Sequence, residues 1–237
     1  MLTFIESLST FILMSTVAKL ASRTLREHAT VQIRQFIVSG TLPPGKHVVE
    51  VRLSEELQVS RSTLRESLRA LEVEGLLVSD GRGHLSVRTV NSRQILEVYE
   101  VRAAIELLAV RRLARLPEGA FVAAGLRRVL APLKDLDLDF ASQIEVDMAF
   151  HERMCQLTGN QTLLESWRRL IGQLEMVIIA AGPIRAPDRM RYDEHELIVA
   201  AIETGDPDHA EAVLRDHLNA FGGAYAADAL EREADSP

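Results

Sequence analysis

The sequence predicts a mostly α-helical protein in two parts: a small N-terminal domain of three helices and a β-hairpin, then a larger all-α antiparallel helical bundle. Aromatic residues make up only 5% of the chain while hydrophobic residues reach 47%, a composition that favours helices over a β-sandwich. Apolar residues recur at helical spacing along most of the chain. Residues 76–87 instead show two short apolar segments around a glycine-rich turn, which is typical of a hairpin.

The charge is divided unevenly between the two parts. The chain of 237 residues has a net charge of −7, which argues against a protein that binds nucleic acid over its whole surface. Residues 15–90 nevertheless contain 11 Lys and Arg against 8 Asp and Glu, while the remainder contains 16 against 26. A mildly basic module beside an acidic one suggests different partners for the two.

Several features bear on the location of the protein in the cell. The single cysteine, Cys155, excludes an intrachain disulfide and fits a reducing cytoplasm, and we interpret it as a small buried hydrophobe. Residues 1–21 form an apolar extension without the basic segment of a signal peptide. Met14 is a candidate for the true start, and the alternative is a short helix that packs on a neighbour. No stretch is apolar enough to predict a membrane span.

Residues 22–90 are predicted to form the first domain. The spacing predicts a helix over residues 22–39, which the prolines and glycines of residues 40–45 end. Its inner side is predicted to carry Leu25, Ala29, Ile33, Phe36 and Ile37. The elements that follow are a short helix over 51–57, a turn over 58–60, a third helix over 61–74, and strands over 76–78 and 84–87. This order is that of a winged helix-turn-helix.

The third helix carries the residues on which the function of this domain depends. Ser60 is placed to cap it, three leucines form a buried stripe, and Gly75 ends it. The opposite face carries Arg61, Ser62, Arg65 and Arg69. Taken alone, such a helix is equally compatible with an ordinary solvated surface, but its context favours a recognition helix in the major groove of double-stranded DNA. Arg82 and Gly83, at the hairpin tip, can contact the minor groove or the phosphate backbone.

Three segments resemble the N-terminal domain of the GntR family of bacterial transcription regulators: residues 41–45, residues 53–68 and residues 74–76. The resemblance covers about residues 24–90. It implies DNA contacts from the positions of Ser60, Arg61, Thr63 and Arg65, and from Arg82 and Gly83 of the wing. Gln58 departs from the family's usual glycine, and Ser62-Thr63-Leu64 replaces the frequent Thr-Pro-Val. Neither departure removes an arginine, so they bear on operator sequence rather than on DNA binding.

Residues 91–230 are predicted to form a bundle of six helices with short connections. The predicted helices span residues 92–115, 118–131, 138–157, 161–181, 188–204 and 207–230. Glycine and proline residues mark most of the connections between them. The charged tail over residues 231–237 is predicted to be disordered.

Polar residues lie on the inward stripes of the bundle. Asp147 and His151 are four residues apart on one helix, and His195 and His217 lie on two others. Burying them unpaired would be costly, so a divalent cation such as zinc, nickel or manganese would satisfy them together. The alternative is that each is a separately satisfied polar group of the core. Arg102, also on an inward stripe, either binds a carboxylate ligand or pairs with Glu106.

The bundle resembles the FCD effector domain of the FadR subfamily of GntR regulators over about residues 93–221. The resemblance is carried by the sequence Asp147-Met148-Ala149-Phe150-His151, by Gly159-Asn160, by His195, by Asp216-His217 and by the Arg102-x-x-x-Glu106 pattern. It implies that Asp147, His151, His195 and His217 bind a metal, with zinc favoured, and that a small organic acid binds beside it. A count of six helices rather than seven suggests the VanR-like branch.

These observations lead to one main hypothesis and two alternatives. The main hypothesis is a metabolite-responsive transcription regulator, a repressor that binds a pseudo-palindromic operator as a homodimer. One alternative uses the bundle only for dimerisation, with a structural metal or none. A remote alternative is a metal-dependent hydrolase, because Asp and three His could activate water. No catalytic motif such as His-Glu-x-x-His accompanies the site, so we predict that the protein is not an enzyme.

Overall fold

The computed structural model describes residues 25–234. The predicted extension over residues 1–21, including Met14, lies outside the described residues, as does the end of the tail from residue 235. The chain divides into two compact units. Within the described residues, one unit comprises residues 25–73 together with Leu77–Val87, and the other comprises Glu74–Leu76 together with residues 88–234.

The first unit has the predicted order of elements. Helix α1 covers residues 25–38, and the elements after it are α2 (Glu50–Glu56), α3 (Arg61–Glu74), β1 (Leu77–Ser79) and β2 (Leu85–Val87). The core is formed by Ala29, Ile33, Ile37, Leu64, Leu68 and Leu71, all of which are buried as the helical spacing predicted. Leu25 is instead 51% exposed, because the buried stripe of α1 begins one turn later, at Ala29.

Both ends of α3 are built as predicted. The Ser60 hydroxyl accepts a hydrogen bond from the backbone N–H of Thr63 over 3.1 Å, which satisfies one of the free amides of the first turn. Gly75 follows the last residue with φ 91°, a left-handed conformation that favours glycine. The cap and the stop together set the length and the direction of the helix.

The turn between α2 and α3 contains a residue in an unfavourable backbone conformation. Gln58 has φ 52°, and it occupies the left-handed position that follows the end of a helix. The N–H of Val59 donates to the carbonyl of Ser54, and that of Gln58 donates to the carbonyl of Glu55, the hydrogen-bond pattern of a Schellman motif. Glycine is the usual residue at this position because it has no Cβ.

The wing contains an isolated β-bridge that was not predicted from the sequence. Strands β1 and β2 are antiparallel, with Leu77 opposite Val87. On the other edge of β2, a bridge joins His47 to Ser86, and the N–H of Val48 donates to the carbonyl of Leu85. The preceding proline pair was interpreted only as a helix end, and nothing in the local pattern indicated that the next residues pair with the hairpin.

The second unit is a helical bundle. Its α-helices are α4 (Ser92–Ala114), α5 (Gly119–Leu130), α6 (Phe140–Leu157), α7 (Gln161–Arg168), α8 (Ile171–Arg185), α9 (Tyr192–Glu203) and α10 (Pro207–Ala234). Short 3-10 helices cover Ala131–Lys134 and Pro187–Arg189. Helices α4 and α10 pack along each other, and a Cβ on Gly222 of α10 would lie 2.7 Å from the Tyr99 ring of α4. This close approach explains the glycine at that position.

The prediction of six helices in the bundle is wrong, because the described part of the chain contains seven α-helices there. The predicted helix over residues 161–181 is divided at Arg169 and Leu170, where the N–H of Leu170 bonds to the carbonyl of Trp167, three residues back. Neither Arg169 nor Leu170 is a glycine or proline, and Gly172, the second residue of α8, was not interpreted as a helix break. The helix count therefore does not support the VanR-like branch.

Other helix boundaries also differ from the prediction. Helix α9 begins at Tyr192 rather than at residue 188, because the short helix Pro187–Arg189 precedes it. Residues 231–234 were predicted to be disordered but continue α10. Glu231 pairs with Arg185 over 2.9 Å, and Glu233 accepts hydrogen bonds from the backbone and hydroxyl of Ser92. These contacts hold the end of the helix against the bundle. Among the described residues, no helix is long and apolar enough to cross a membrane.

Candidate DNA-binding face and candidate metal centre

The predicted recognition residues lie on one exposed face of α3. Arg61, Ser62, Arg65 and Arg69 are all exposed, and Thr63 is half-buried at the first turn. Ser60, which caps the helix, is exposed, and its hydroxyl lies 2.9 Å from that of Ser62 and 2.8 Å from that of Thr63. Three hydroxyl groups and three guanidinium groups thus share one surface, which suits contacts with phosphates and base edges.

The wing tip is held by a single carboxylate. Asp80 accepts hydrogen bonds from the backbone N–H groups of Arg82 and His84, each over 2.8 Å, and its other oxygen lies 3.1 Å from Nδ1 of His84. The bonds from His84 and Arg82 lower the pKa of Asp80. Arg82 is exposed, and Gly83 has φ 83°. The tip is therefore a tight turn with an exposed guanidinium, as the sequence predicted.

In the bundle, three histidines from three different helices come together. His151 lies on α6, His195 on α9 and His217 on α10, and one nitrogen from each ring lies within 4.8 Å of the other two. His151 and His195 are fully buried and His217 is half-buried. Phe150 contacts the rings of His151 and His195 edge-on, and Phe221 does the same for His217. We refer to these three residues with Asp147 as the histidine cluster.

Hydrogen bonds outside the cluster fix the orientation of two of its rings. Nδ1 of His195 lies 2.9 Å from the carbonyl oxygen of Arg191, and Nδ1 of His151 lies 2.8 Å from a carboxylate oxygen of Glu106. Because a carbonyl and an ionised carboxylate only accept, both Nδ1 atoms carry the proton. In the neutral rings the lone pairs are then on Nε2. Among the described residues, neither Nε2 atom has a hydrogen-bond partner, nor has Nδ1 of His217.

Asp147 is adjacent to this set of free nitrogen atoms. Its Oδ1 lies 3.0 Å from Nε2 of His195, but the angles do not satisfy a hydrogen bond. Burial by itself would raise the pKa of Asp147, but the neighbouring His195 outweighs it and holds that pKa below its usual range.

The ionisation of the histidines favours metal binding. Burial, followed by the nearby charge of Arg102, lowers the pKa of His151. Burial lowers the pKa of His217 well below its usual value, and the neighbouring His195 and His151 act in the same direction. Both rings are therefore neutral near pH 7, and a metal ligand must be neutral imidazole.

The residues of the histidine cluster fit a divalent cation. Metal–ligand bonds of about 2.1 Å separate neighbouring ligand atoms by roughly 3–4 Å, and the histidine atoms already lie within 4.8 Å of one another. The buried nitrogen atoms without partners in the described structure are those that a metal would use. Nitrogen and carboxylate ligands suit zinc, nickel or manganese.

Arg102 forms the ion pair with Glu106 that was one of the two alternatives, and the other edge of its guanidinium has no partner in the described structure. Its Nε donates to Glu106 over 2.8 Å and its Nη1 donates to the Tyr99 hydroxyl over 3.3 Å. Nη2 is buried, and in the residues that the structure describes it has no partner. The guanidinium is thus a buried ion pair on one edge and a free hydrogen-bond donor on the other.

The contacts that Glu106 and Trp167 make beside the histidine cluster were not predicted from the sequence. Glu106 was named only as the companion of Arg102, yet it also contacts His151, and the indole Nε1 of Trp167 donates to it over 2.7 Å. The position of Glu106 on the same stripe as Arg102 could have indicated a buried charge. No sequence pattern indicated the contact with Trp167, because that contact depends on where α7 packs against α4.

The fold and the exposed basic face of α3 define a class: a DNA-binding transcriptional regulator with a helical partner domain. Residues 25–87 match the family model described as bacterial regulatory proteins, gntR family, and residues 97–220, more than half of the chain, match that of the FCD domain. The chain belongs to the GntR family and carries a C-terminal FCD domain. The family and its relatives are regulators rather than enzymes, which sets the hydrolase alternative aside.

Individual relatives agree with this assignment. A probable D-xylose utilization operon transcriptional repressor of Paenarthrobacter nicotinovorans is 30% identical over 223 residues, covering 87% of this chain and 92% of that protein. The gluconate operon transcriptional repressor of Bacillus licheniformis is 28% identical over 187 residues, 75% of each chain. The solved structure of E. coli McbR/YncC has a TM-score of 0.68 at 21% identity, over 85% of this chain and 96% of that one, and it shares the fold.

Proposed function

We propose that the protein is a cytoplasmic transcriptional repressor that binds a pseudo-palindromic operator as a homodimer and responds to a small organic acid. In this proposal residues 22–90 bind DNA, while residues 91–230 bind the effector and dimerise. Relatives named as operon repressors support the direction of regulation. One recognition helix contacts only a few base pairs, so a symmetric dimer on two half-sites supplies the specificity that a genome requires.

The exposed face of α3 is the proposed reader of the operator. Arg61, Arg65 and Arg69 project from it, and a guanidinium can bind the O6 and N7 atoms of guanine or clamp a phosphate. The hydroxyls of Ser60, Ser62 and Thr63 supply phosphate contacts at the start of the helix. Arg82, beside Gly83 at the wing tip, would contact the minor groove or the backbone.

The proposed effector site rests on one observation: buried nitrogen atoms that have no hydrogen-bond partner in the described structure lie close together. They are Nε2 of His151, Nε2 of His195 and Nδ1 of His217, with Oδ1 of Asp147 3.0 Å from the second of them. In our proposal these four residues hold a divalent metal ion, most simply zinc, with nickel and manganese as alternatives.

Arg102 supports a carboxylate as the effector. A bound divalent ion supplies a Lewis acid with room for a further oxygen ligand, because Asp147 and three histidines need not complete its coordination. The free Nη2 of Arg102 would donate to the same carboxylate, and hydrogen bonds of that charge-assisted kind are strong. The effector then shifts the regulator between a DNA-binding form and a released form. The size of that shift is set by the difference between the effector's affinities for the two forms.

DNA binding is tested with duplexes from the region upstream of the gene itself. The double variant Arg61→Ala with Arg65→Ala should lose specific binding by about 10²- to 10⁴-fold, since each arginine that reads a base contributes roughly 1–3 kcal/mol. A matched control removes two exposed bundle arginines, Arg128→Ala with Arg169→Ala. Equal binding by both double variants would overturn the assignment of α3 as the reading helix.

The effector half is tested by calorimetry with a panel of small mono- and dicarboxylic acids. Binding that requires added metal, and that Arg102→Leu abolishes, supports a metal-assisted acid site. If the metal-loaded protein binds none of the acids while it still forms dimers, the bundle serves for dimerisation alone, with a structural metal. Absence of both metal and acid binding leaves dimerisation as the only role of the bundle.

A further inference from the structure

Glu106 is the best-connected buried side chain beside the histidine cluster. It lies on α4 with none of its surface exposed. Its Oε1 accepts hydrogen bonds from Nε of Arg102 over 2.8 Å and from Nε1 of Trp167 over 2.7 Å. Its Oε2 accepts from Nδ1 of His151 over 2.8 Å. Donors from α4, α6 and α7 therefore meet on a single carboxylate.

The hydrogen-bond partners of Glu106 set its role. Its Oε1 forms an ion pair with Nε of Arg102 over 2.8 Å, and both side chains are buried. Trp167 and the guanidinium can only donate hydrogen bonds, so they also require an acceptor at this place. In this ion pair the Glu106 carboxylate thus acts as a hydrogen-bond acceptor.

An acceptor-only carboxylate decides which nitrogen of His151 carries the proton. Nδ1 must donate to Oε2, and the neutral ring then presents the lone pair of Nε2 to Asp147, His195 and His217. The opposite tautomer would place two acceptors 2.8 Å apart on one side and an N–H on the metal-binding side. It would lose the hydrogen bond to Glu106 and block the coordination position.

We propose that Glu106 is the positioning residue of the metal centre: it holds His151 in the Nδ1–H tautomer and aims its Nε2 at the metal ion. This inference rests on the proposed metal site in the bundle. Arg102 and Trp167 act through Glu106, because they fix the plane of its carboxylate. The indole of Trp167 touches the same carboxylate and is the only tryptophan of the chain, so its fluorescence reports metal binding at His151.

The test compares the full-length wild-type protein with Glu106→Gln, which keeps the shape and removes the charge. Zinc and nickel are titrated separately, with affinity read by calorimetry and by Trp167 fluorescence. The affinity of Glu106→Gln should fall by about 10- to 100-fold, the usual effect of removing the hydrogen-bond partner of a ligating histidine. Glu152→Gln is the matched control, because it removes a carboxylate one residue from His151 that instead pairs with Arg168 at the surface.

A second measurement separates positioning from a general loss of structure. Nitrogen-15 spectra of the histidine rings in the metal-free protein should show His151 as the Nδ1–H tautomer in the wild type and a shift toward Nε2–H in Glu106→Gln. Glu106→Asp, which keeps the charge but shortens the reach, should fall between the two in metal affinity. If Glu106→Gln does not fold, Glu106→Asp takes its place in the metal titrations and in the nitrogen-15 spectra.

The outcomes for the two proposals are distinguishable. Unchanged metal affinity together with an unchanged His151 tautomer in Glu106→Gln would overturn the role of Glu106 while leaving the metal site intact. Failure of the wild-type protein to bind either zinc or nickel would overturn the proposed metal site itself. The His151 tautomer, measured in the metal-free protein, would still show whether Glu106 orients the ring.

Discussion

Nε of Arg65, on the recognition helix α3, donates a hydrogen bond over 2.9 Å to Oε2 of Glu50, the first residue of α2. The arginine side chain is 66% exposed and that of Glu50 is 35% exposed. A surface ion pair of this kind contributes little to folding. The ion pair instead affects DNA binding, because the Glu50 carboxylate competes with the phosphates of DNA for the Arg65 guanidinium.

We expect Glu50→Gln to strengthen non-specific DNA binding by about two- to five-fold at low salt, since one repulsive charge is removed from the DNA-facing surface. Fluorescence anisotropy with a duplex of random sequence measures this effect. The control is Glu55→Gln, which removes an exposed carboxylate from the same helix α2 but leaves the pair with Arg65 intact. Equal gains from both variants would mean that net charge alone matters and that the contact with Arg65 does not.

Because Gln58 adopts a left-handed backbone conformation, we expect its replacement by glycine to stabilise the winged domain. A side chain in the left-handed region costs roughly 1 kcal/mol or more, and glycine avoids that cost while it adds entropy to the unfolded chain. Gln58→Gly should therefore raise the free energy of unfolding of the winged domain by about 0.5–1 kcal/mol, measured by urea denaturation. Gln58→Ala keeps the Cβ and should give no such gain. A loss of stability in the glycine variant would contradict this account of the turn.

The lowered pKa of Asp228 makes the stability of the bundle depend on pH. It is buried on α10 and accepts hydrogen bonds from Arg185 over 2.7 Å and Arg189 over 2.6 Å. Burial opposes its ionisation, but Arg189 and Arg185 outweigh burial and lower its pKa. A lowered folded pKa gives stability that is present above the unfolded value of about 3.9 and is lost as the pH falls through the folded value.

Asp228→Asn should accordingly reduce the free energy of unfolding by about 2 kcal/mol at pH 7, and the difference from wild type should shrink below about pH 4. Denaturation curves at a series of pH values measure this difference. Asp216→Asn, an exposed change on the same helix, serves as control. A difference that stays constant from pH 7 to pH 3 would show that Asp228 acts through shape and not through its charge.

Metal binding should stabilise the bundle. At about 100 times the dissociation constant, zinc or nickel adds roughly 2.7 kcal/mol, which corresponds to a rise of about 5–10 °C in the melting temperature of a domain of this size. Thermal unfolding followed by circular dichroism measures the rise, and a chelator should reverse it. His195→Ala should abolish the response, whereas His209→Ala, at the exposed start of α10, should retain it. A rise of equal size in both variants would place the ion elsewhere.

The local features of the recognition helix could be predicted because they depend on near neighbours in the chain. The cap at Ser60, the leucine stripe and the stop at Gly75 follow from helix periodicity and from backbone preferences. The same periodicity placed the histidines and Asp147 on inward stripes. It could not predict the division between α7 and α8, because no residue there forbids a continuous helix and packing alone decides the change of direction.

The sequence by itself therefore determined which residues share the exposed basic face of α3 and which polar groups enter the core of the bundle. Only the tertiary structure decided what those groups meet. Glu106 reaches His151 across 45 positions and Trp167 across 61, distances over which helix periodicity carries no information. The free atoms of the histidine cluster and the orientation of its rings are properties of helix packing, and the physical reason is that hydrogen bonds between helices depend on how those helices are placed in space.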